Sequence, residues 1–189
     1  MEGKEKMKFE TERLLIREWK KGDEKDSVAN INNLNVTKWL LVVPYPYTKK
    51  DSNDWIKLNL KRQREKKREK FAFAIGLKEN KKVIGGIGLD ISSQNKTAEV
   101  GYWLGENYWN KKYGSEALKE ILNFGFEKLK LRRIEAKVFE GNPSSGRLLE
   151  KFGFKLEGRH PEAMICKSDG KIKTDLSYGL LKKDWEKLK

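Results

Sequence analysis

The chain has 189 residues, with 42 Lys or Arg and 28 Asp or Glu, which gives a net charge of +14 at pH 7. This length suits one domain with a sizeable core and is short for two, so we expect a single domain over residues 1–189. One cysteine and one histidine exclude an intramolecular disulfide framework, a multi-cysteine zinc site and a two-histidine metal site, and we expect no bound metal.

Charge and hydropathy bear on location and partners. The N-terminal stretch MEGKEKMKFETER has no apolar signal-peptide core, and no uncharged apolar run approaches the about 18 residues of a membrane span. We therefore expect a cytoplasmic protein without a membrane partner. The positive charge indicates a surface coated with ion pairs or an attraction for nucleotides, phosphates and RNA, and these interpretations are compatible.

The first half of the chain predicts a strand followed by two helices. The alternating pattern of FETERLLIREW is typical of a strand. A helix follows over residues 22–33 with Asp23 as its N-cap, and the prolines of VVPYPYT then enforce a loop. A second helix, capped by Thr48 or Asp51, is predicted to run to Lys70.

The end of this second helix, KRQREKKREK, carries seven basic residues in ten. The run contains no aromatic residue, and cations near a helix C-terminus interact favourably with the helix dipole. We therefore favour a solvated helix end, with contact to RNA or the ribosome as the alternative.

The second half predicts more strands than helices. FAFAIGL, KVIGGIGLD and TAEVGYWLG have the spacing of an antiparallel meander. The amphipathic helix KKYGSEALKEILNFGFEKL, the strand RRIEAKVFEG and a short helix opened by Asn142 and Pro143 follow. FKLEGRH, EAMICKSDGK and IKTDLSYGLL close the chain as strands. The pattern indicates one α+β domain.

Several of these segments carry a family resemblance. TERLLIREW, PYPYT, AEVGYWLGENYW, GSEAL and NPSSGRLLEKFGF, in this order and spacing, resemble the GNAT acetyltransferases and, within them, the RimJ/RimL-type branch that acetylates protein N-termini. The resemblance runs from about Phe9 to Trp185 and ends on a looser G-x-x-x-x-D-x-x-Y-x-L pattern. It implies an α+β GNAT fold, with a mixed and largely antiparallel central sheet flanked by helices on both faces.

The resemblance further implies acetyl-CoA as cosubstrate, with its pyrophosphate on backbone amides at the start of the long helix. The family pattern there is Arg/Gln-x-x-Gly-x-Gly/Ala, whereas this chain has WNKKYG. Lys112 thus replaces the central glycine, which permits close approach of phosphate, and only Gly114 matches. Close packing at a helix start is the alternative role of Gly114. The implied cofactor-binding residues are Tyr102, Trp103, Leu104, Trp109, Asn110, Lys111, Lys112, Tyr113, Gly114, Ser115 and Asn142.

The pantetheine arm is implied to fill a gap between two strands. By resemblance, the strand over 101–104 diverges from the strand over 136–139, and the arm pairs with the exposed backbone. The side chains of Tyr102 and Trp103 are equally interpretable as core aromatics. Asn142 either caps its helix or contacts the arm through its amide group.

The implied catalytic residues are Glu99, Ser145 and Asn142. Glu99 is positioned like the base carboxylate of several GNAT members, and pairing with a lysine is its alternative. Many members protonate the thiolate with a tyrosine at the position of Leu149, which cannot donate. Ser145 lies three residues after Asn142 and is the implied donor to the sulfur, with a hydrogen bond to its own backbone as the alternative.

The acceptor follows from proton chemistry and from the resemblance. An α-amino group has a pKa near 7.7–8.0, so roughly a tenth is neutral at pH 7, against far less of a lysine. We therefore favour a protein N-terminus, for example on a ribosomal protein, that enters across the first two helices and the PYPYT loop. A free polyamine or antibiotic, and a non-catalytic ribosome- or RNA-binding module, are the alternatives. Ribosome association and a homodimer remain open.

Overall fold

A computed structural model describes residues 7–188, which form one sheet and six α-helices. The strands are β1 Lys8–Glu10, β2 Leu14–Glu18, β3 Lys70–Leu77, β4 Val83–Ser92, β5 Thr97–Leu104, β6 Arg133–Phe139, β7 Lys155–Ile165 and β8 Ile172–Leu181. The helices are α1 Glu24–Ile31, α2 Leu34–Thr37, α3 Lys49–Arg62, α4 Tyr113–Asn123, α5 Pro143–Lys151 and α6 Lys182–Glu186. A short 3₁₀ turn precedes α4, and a π-helical turn extends its end.

The sheet has the strand order β1-β2-β3-β4-β5-β6-β8-β7. Every neighbouring pair is antiparallel except β5 and β6, which are parallel because α4 crosses between them. The expected mixed, largely antiparallel sheet is therefore confirmed. Its single parallel pair lies at the centre of the molecule, where it positions the site.

Helices cover both faces of the sheet, as the alternation of β3 shows. Phe73 faces the larger core, which contains Leu118 and Ile121 of α4. Its neighbour Ala74 faces the opposite side and packs with Ile56 of α3. Because successive strand residues point to opposite faces, an apolar strand such as β3 serves two cores.

Capping residues determine where the helices begin. Thr48 and Asp51 form a reciprocal capping box at α3, so both predicted candidates take part. Asn142 accepts a hydrogen bond from the Ser145 amide at the start of α5. Asp23 occupies the N-cap position of α1 without capping it, because its carboxylate is held by Arg17.

Only Lys61 and Arg62 of the basic run lie in the last turn of a helix, and the other residues lie beyond it, which corrects the sequence prediction. Helix α3 stops at Arg62 rather than Lys70. Beyond it, Arg68 turns inward, pairs with Glu18 and lies over the ring of Phe71 at 4.5 Å. This buried ion pair and cation–π contact pull the chain away from the helix axis.

Three further boundaries differ from the prediction. The first predicted strand is a hairpin of β1 and β2. FKLEGRH and EAMI join in one bulged strand, β7, which ends at Ile165 before the turn to β8. Helix α6 was not predicted, and its Trp185 packs against Phe126. None of the described helices is long and apolar enough to span a membrane. The first six residues of the stretch judged against a signal peptide lie outside the described part of the chain.

Candidate active site

The site forms where β5 and β6 separate. Backbone pairing between them covers only Thr97–Glu99 against Arg133–Glu135. Beyond Glu99, residues 101–104 continue β5 with their backbone paired on the β4 side only. The β6 side of this segment therefore presents unpaired peptide groups to whatever fills the gap.

A cleft of about 1400 Å³ opens at this gap. That volume exceeds a typical small-ligand pocket and suits a large cofactor together with an acceptor. Among the residues that line it are all three catalytic candidates and every cofactor-binding candidate except Lys111. The structure thus brings together Glu99, Tyr102, Trp103, Leu104, Trp109, Asn110, Lys112, Tyr113, Gly114, Ser115, Asn142 and Ser145.

The turn into α4 keeps a glycine-like backbone although its central glycine is absent. Lys112 has φ +65° and ψ 5°, and Asn110 has φ +59°. This left-handed region costs a residue with a side chain roughly 1–2 kcal/mol. The first-turn amides of α4 have no acceptor one turn back, so they remain available to an anion. The lysine substitution therefore adds strain and a charge and leaves the turn in place.

Gly114 has the packing role that was its alternative interpretation. A methyl group at this position would lie 3.3 Å from Leu148 Cδ2 and 3.7 Å from Leu104 Cδ1. A side chain there would press on the strand and on α5. Close helix packing is thus one role of this glycine, which also lines the cleft.

Arg13 and Glu116 fasten this turn to the sheet. The Glu116 carboxylate accepts from Arg13 Nε at 2.9 Å, Arg13 Nη2 at 2.7 Å, the Arg13 amide at 2.8 Å and the Thr11 hydroxyl. Arg13 Nη1 also donates to the Lys111 carbonyl at 3.1 Å, and its guanidinium lies 4.5 Å from the centre of the Tyr113 ring. The turn between β1 and β2 thereby holds the phosphate-binding candidate in position.

Tyr102 and Ser145 meet across the gap. Tyr102 Oη lies 2.7 Å from Ser145 Oγ and 3.4 Å from the Ser145 carbonyl oxygen. Burial raises the pKa of the Tyr102 phenol to about 12, although the Ser145 contact lowers it. Asn142 holds the Ser145 amide at 3.3 Å. Ser145 thus lies at the cleft, and among the described residues its hydroxyl has Tyr102 as hydrogen-bond partner.

Glu99 has the lysine partner that was its alternative interpretation. Glu99 Oε2 lies 3.7 Å from Lys137 Nζ, and both side chains are about half exposed. The two residues lie on neighbouring strands, on the face of the sheet that also carries Asp90 and Asp175. An ion pair this long and exposed is weak, so it leaves the carboxylate reachable from the cleft.

Three of the cofactor-binding candidates make contacts within the protein itself. Trp103 packs under α1 and α3, as expected for a core aromatic. Trp109 donates from Nε1 to the Leu104 carbonyl at 2.8 Å and closes the turn. The Lys111 ammonium lies over the Tyr108 ring at 5.9 Å, and Lys111 is not among the residues that line the cleft.

Sequence reasoning missed two contributors. Asp175, which is 4% exposed, lines the cleft from β8. It appeared in the C-terminal pattern without a role. Arg13 belongs to the opening segment TERLLIREW, and only the fold brings it to α4. Both residues lie in segments that carry the family resemblance, and this was the signal from which a role in the site could have been inferred.

Comparison with known proteins gives the family. Residues 13–155 match the model of the acetyltransferase (GNAT) domain. An N-acetyltransferase of Bacillus licheniformis, p20, is 33% identical over 180 residues, covering 93% of this chain and 96% of that protein. The ribosomal-protein-serine acetyltransferase of Escherichia coli is 38% identical over 77 residues, covering 40% of this chain and 43% of that protein.

Among solved structures, the spermidine N-acetyltransferase of Vibrio cholerae in complex with CoA and spermine superposes with a TM-score of 0.78. It is 20% identical, and the match covers 93% of this chain and 99% of that one. Divergent strands, an α4 turn that faces the cleft, and a match over most of the chain agree with one another. The chain is an N-acetyltransferase of the GNAT family.

Proposed function

We propose that this acetyltransferase takes its acetyl group from acetyl-CoA and transfers it to a protein N-terminal α-amino group of the ribosomal-protein type. The cleft offers three features for the acyl donor: the first-turn amides of α4, the cation of Lys112 and the unpaired edge of β5. Amides and a cation suit the phosphates, and a free strand edge suits the amide-containing pantetheine arm. The donor and acceptor react directly in a ternary complex.

Two carboxylates on the cleft floor that form ion pairs bear on the choice of acceptor. Glu99 is paired with Lys137 at 3.7 Å, and Asp90 with Lys70 at 2.7 Å. A polyamine carries several positive charges and favours unpaired carboxylates, whereas a peptide N-terminus carries one charge. Pairing of Glu99 and Asp90 weakens the attraction of the cleft for a polyamine, whereas Glu106 and Asp175, which also line the cleft, preserve part of it.

The observation that carries the choice of a peptide acceptor is an exposed apolar rim. Leu41 and Val42, after α2, and Trp55 and Leu58, on α3, are exposed and line the cleft. Val42 is 72% exposed. An apolar rim next to a cleft is typical of a site that receives a peptide or protein surface. It would contact side chains that follow the acceptor's first residue.

The relatives' names point to both acceptor classes. The Escherichia coli relative is named for a ribosomal protein serine, and the structural neighbour from Vibrio cholerae for spermidine. The structural neighbour, at 20% identity, supports the fold alone. The sequence relative and the apolar rim together favour the protein N-terminus.

The test is an acceptor panel followed by intact-mass measurement. Peptides that begin with Ser, Ala, Thr or Met are incubated with acetyl-CoA, beside the same peptides with blocked N-termini and an internal lysine. We expect a gain of one acetyl group on the free N-termini only. Acetylation of spermidine or of an aminoglycoside, without peptide acetylation, would replace the proposed acceptor.

Binding of the acyl donor is tested separately. Acetyl-CoA at 100 times its Kd stabilises a protein that binds it only when folded by about 2.7 kcal/mol, which raises the Tm. Absence of any Tm shift together with absence of a calorimetric signal would contradict the acetyl-CoA proposal. The remaining interpretation would then be the non-catalytic ribosome- or RNA-binding module.

That module makes its own prediction about the basic run. Arg64, Lys66 and Lys67 are exposed and free of the burial that holds Arg68. Replacing these three by Gln is expected to leave acetyl transfer to peptides unchanged. Association with ribosomes or RNA is measured separately at several salt concentrations. Loss of a salt-dependent association in this variant would show that the basic run is a binding surface.

A further inference from the structure

The departing thiolate of the proposed reaction needs a hydrogen-bond donor, and the chain lacks a tyrosine at Leu149. Leu149 is fully buried and offers no polar group. Two hydroxyls meet at the gap between β5 and β6: Tyr102 Oη and Ser145 Oγ, 2.7 Å apart. They come from β5 and from the first turn of α5, the two elements that face each other across the gap.

We propose that Tyr102 is a positioning residue that orients the hydroxyl of Ser145 toward the sulfur of the acyl donor. Tyr102 donates its proton to Ser145 Oγ, and Ser145 Oγ donates its own to the sulfur. The inference rests on the proposed use of acetyl-CoA. In this arrangement, two hydroxyls on two different elements, Tyr102 on β5 and Ser145 on α5, replace the single tyrosine donor that many family members have at the position of Leu149.

The 2.7 Å distance fits donation in either direction, and the tyrosine is the better donor because a phenol O–H is more acidic than an alkyl O–H. The tyrosine hydroxyl has two acceptors, Ser145 Oγ at 2.7 Å and the Ser145 carbonyl at 3.4 Å, and the shorter contact lies in the usual range for O–H···O bonds. When Oγ accepts from the tyrosine, its proton is free to point into the cleft. Asn142 holds the Ser145 backbone amide at 3.3 Å, so the serine does not need its side chain to satisfy that amide.

The proton balance shows what Tyr102 does not do. The amine nitrogen attacks the thioester carbon, the C–N bond forms, the C–S bond breaks and the electron pair goes to sulfur. The proton lost by the amine passes to Glu99 or to water. A thiol has a pKa near 8.5, whereas burial raises the pKa of Tyr102 to about 12. Transfer of the tyrosine proton to the thiolate would therefore be uphill by a factor of about a thousand or more.

Tyr102 consequently keeps its proton and acts through Ser145. The thiolate is stabilised by a hydrogen bond from the serine hydroxyl near the N-terminus of α5, whose partial positive charge favours an anion. The thiolate takes its final proton from solvent after release. This role requires a donor that stays protonated at every pH at which the amine reacts, and a buried phenol meets that requirement.

A double-mutant cycle tests the proposal through release of the CoA thiol. Ser145→Ala is expected to lower kcat about 10- to 100-fold, the range for a hydrogen bond to a charged group. Tyr102→Phe is expected to lower kcat about 10-fold with KM and acetyl-CoA Kd unchanged. The double variant is expected to match Ser145→Ala within about twofold, because Tyr102 has nothing left to orient.

The matched control is Tyr178→Phe. Tyr178 is a buried tyrosine on another side of α5, where its hydroxyl lies 3.5 Å from Glu150 Oε1. This variant is expected to keep kcat. All variants are checked for folding by thermal unfolding before their rates are compared.

Two results would overturn the inference. Additive losses in the double variant would show that Tyr102 acts independently of Ser145. A raised acetyl-CoA Kd with unchanged kcat would make Tyr102 a packing residue of the cofactor arm. If no amine accepts acetyl, the same cycle is run on acetyl-CoA hydrolysis, where water replaces the amine and the leaving thiolate is the same. Failure of the acceptor proposal is thus separated from failure of the Tyr102 proposal.

Discussion

Arg13 and Glu116 form a clamp between the turn that joins β1 to β2 and the first turn of α4. Arg13 donates three hydrogen bonds to the Glu116 carboxylate, from Nε, Nη2 and its backbone amide, and a fourth to the Lys111 carbonyl. The residues are 103 positions apart in the chain. The clamp therefore couples the phosphate-binding candidate to the sheet, and its loss should weaken both stability and acetyl-CoA binding.

Glu116→Gln is predicted to lower the free energy of unfolding by about 2 kcal/mol at pH 7. Burial raises the pKa of the Glu116 carboxyl, but the hydrogen bonds from Thr11 and Arg13 outweigh it, and the net pKa lies below the ordinary 4.5. A lowered pKa contributes stability that is present above pH 4.5 and is lost as the pH falls through the lowered value. Denaturant titrations at several pH values should show the difference from wild type shrinking in acid.

The control for this change is Asp54→Asn. Asp54 forms an exposed ion pair with Lys50 at 2.7 Å, and such pairs contribute little to stability. Equal destabilisation by the two substitutions, or a loss in Glu116→Gln that does not change with pH, would contradict the clamp.

Lys112→Gly separates strain from charge at the α4 turn. Because Lys112 has φ +65°, glycine should raise the free energy of unfolding by about 1 kcal/mol. The same change should weaken acetyl-CoA binding at low salt, and Lys112→Glu should weaken it further. Thermal unfolding and calorimetry at two salt concentrations measure both effects. A lower Tm for the glycine variant would mean that the lysine is not strained.

Glu99→Gln tests the base. If Glu99 removes a proton from the attacking amine, turnover should fall most at low pH and partly recover at high pH, where the amine is already neutral. The loss should be at most on the order of 10²–10⁴-fold. Asp90→Asn is the matched control, since Asp90 lies opposite Glu99 in the sheet and is likewise paired with a lysine.

A pH–rate profile for each variant decides the role of Glu99. The control should keep the wild-type profile. The same fractional loss at every pH in Glu99→Gln would make Glu99 a positioning residue for the acceptor.

Asp175→Asn is predicted to raise the Tm at pH 7. Burial raises the pKa of Asp175, and Lys137 and His160 offset only part of the rise. The folded state then holds the proton more tightly than the unfolded state, so the charged carboxylate destabilises the fold at neutral pH. The gain in the variant should shrink as the pH falls through the raised pKa and vanish below the ordinary value of 3.8.

Asp169→Asn should show the opposite sign. Burial alone would raise the pKa of Asp169, but its contacts with Lys173 and the Lys171 amide bring the net pKa below the ordinary value. Its removal should therefore lower the Tm at pH 7. Thermal unfolding from pH 3 to pH 8 measures both variants, and shifts of the same sign would contradict the assignment for Asp175.

The sequence by itself predicted the family, through its resemblance, and the order of the longer elements, but it missed β1, α2 and α6. Alternating apolar residues predicted the strands, Thr48 with Asp51 and Asn142 with Pro143 marked helix starts, and the spaced motifs indicated a GNAT domain. These features are local, since capping and periodicity depend on residues a few positions apart. The predicted end of α3 was wrong because it depends on a distant contact. Arg68 pairs with Glu18, fifty positions away, and this pair lies beyond the reach of a local pattern.

The tertiary structure alone decided which side chains meet. Pairing between β5 and β6 stops after Glu99, and this opens the gap that brings Tyr102 to Ser145 and Lys137 to Glu99. The strained turn at Lys112 is likewise a property of the fold. The missing glycine suggested an altered backbone, but the Arg13–Glu116 clamp keeps the turn in place. Contacts of this kind depend on how strands twist apart and on partners far along the chain, which no local pattern encodes.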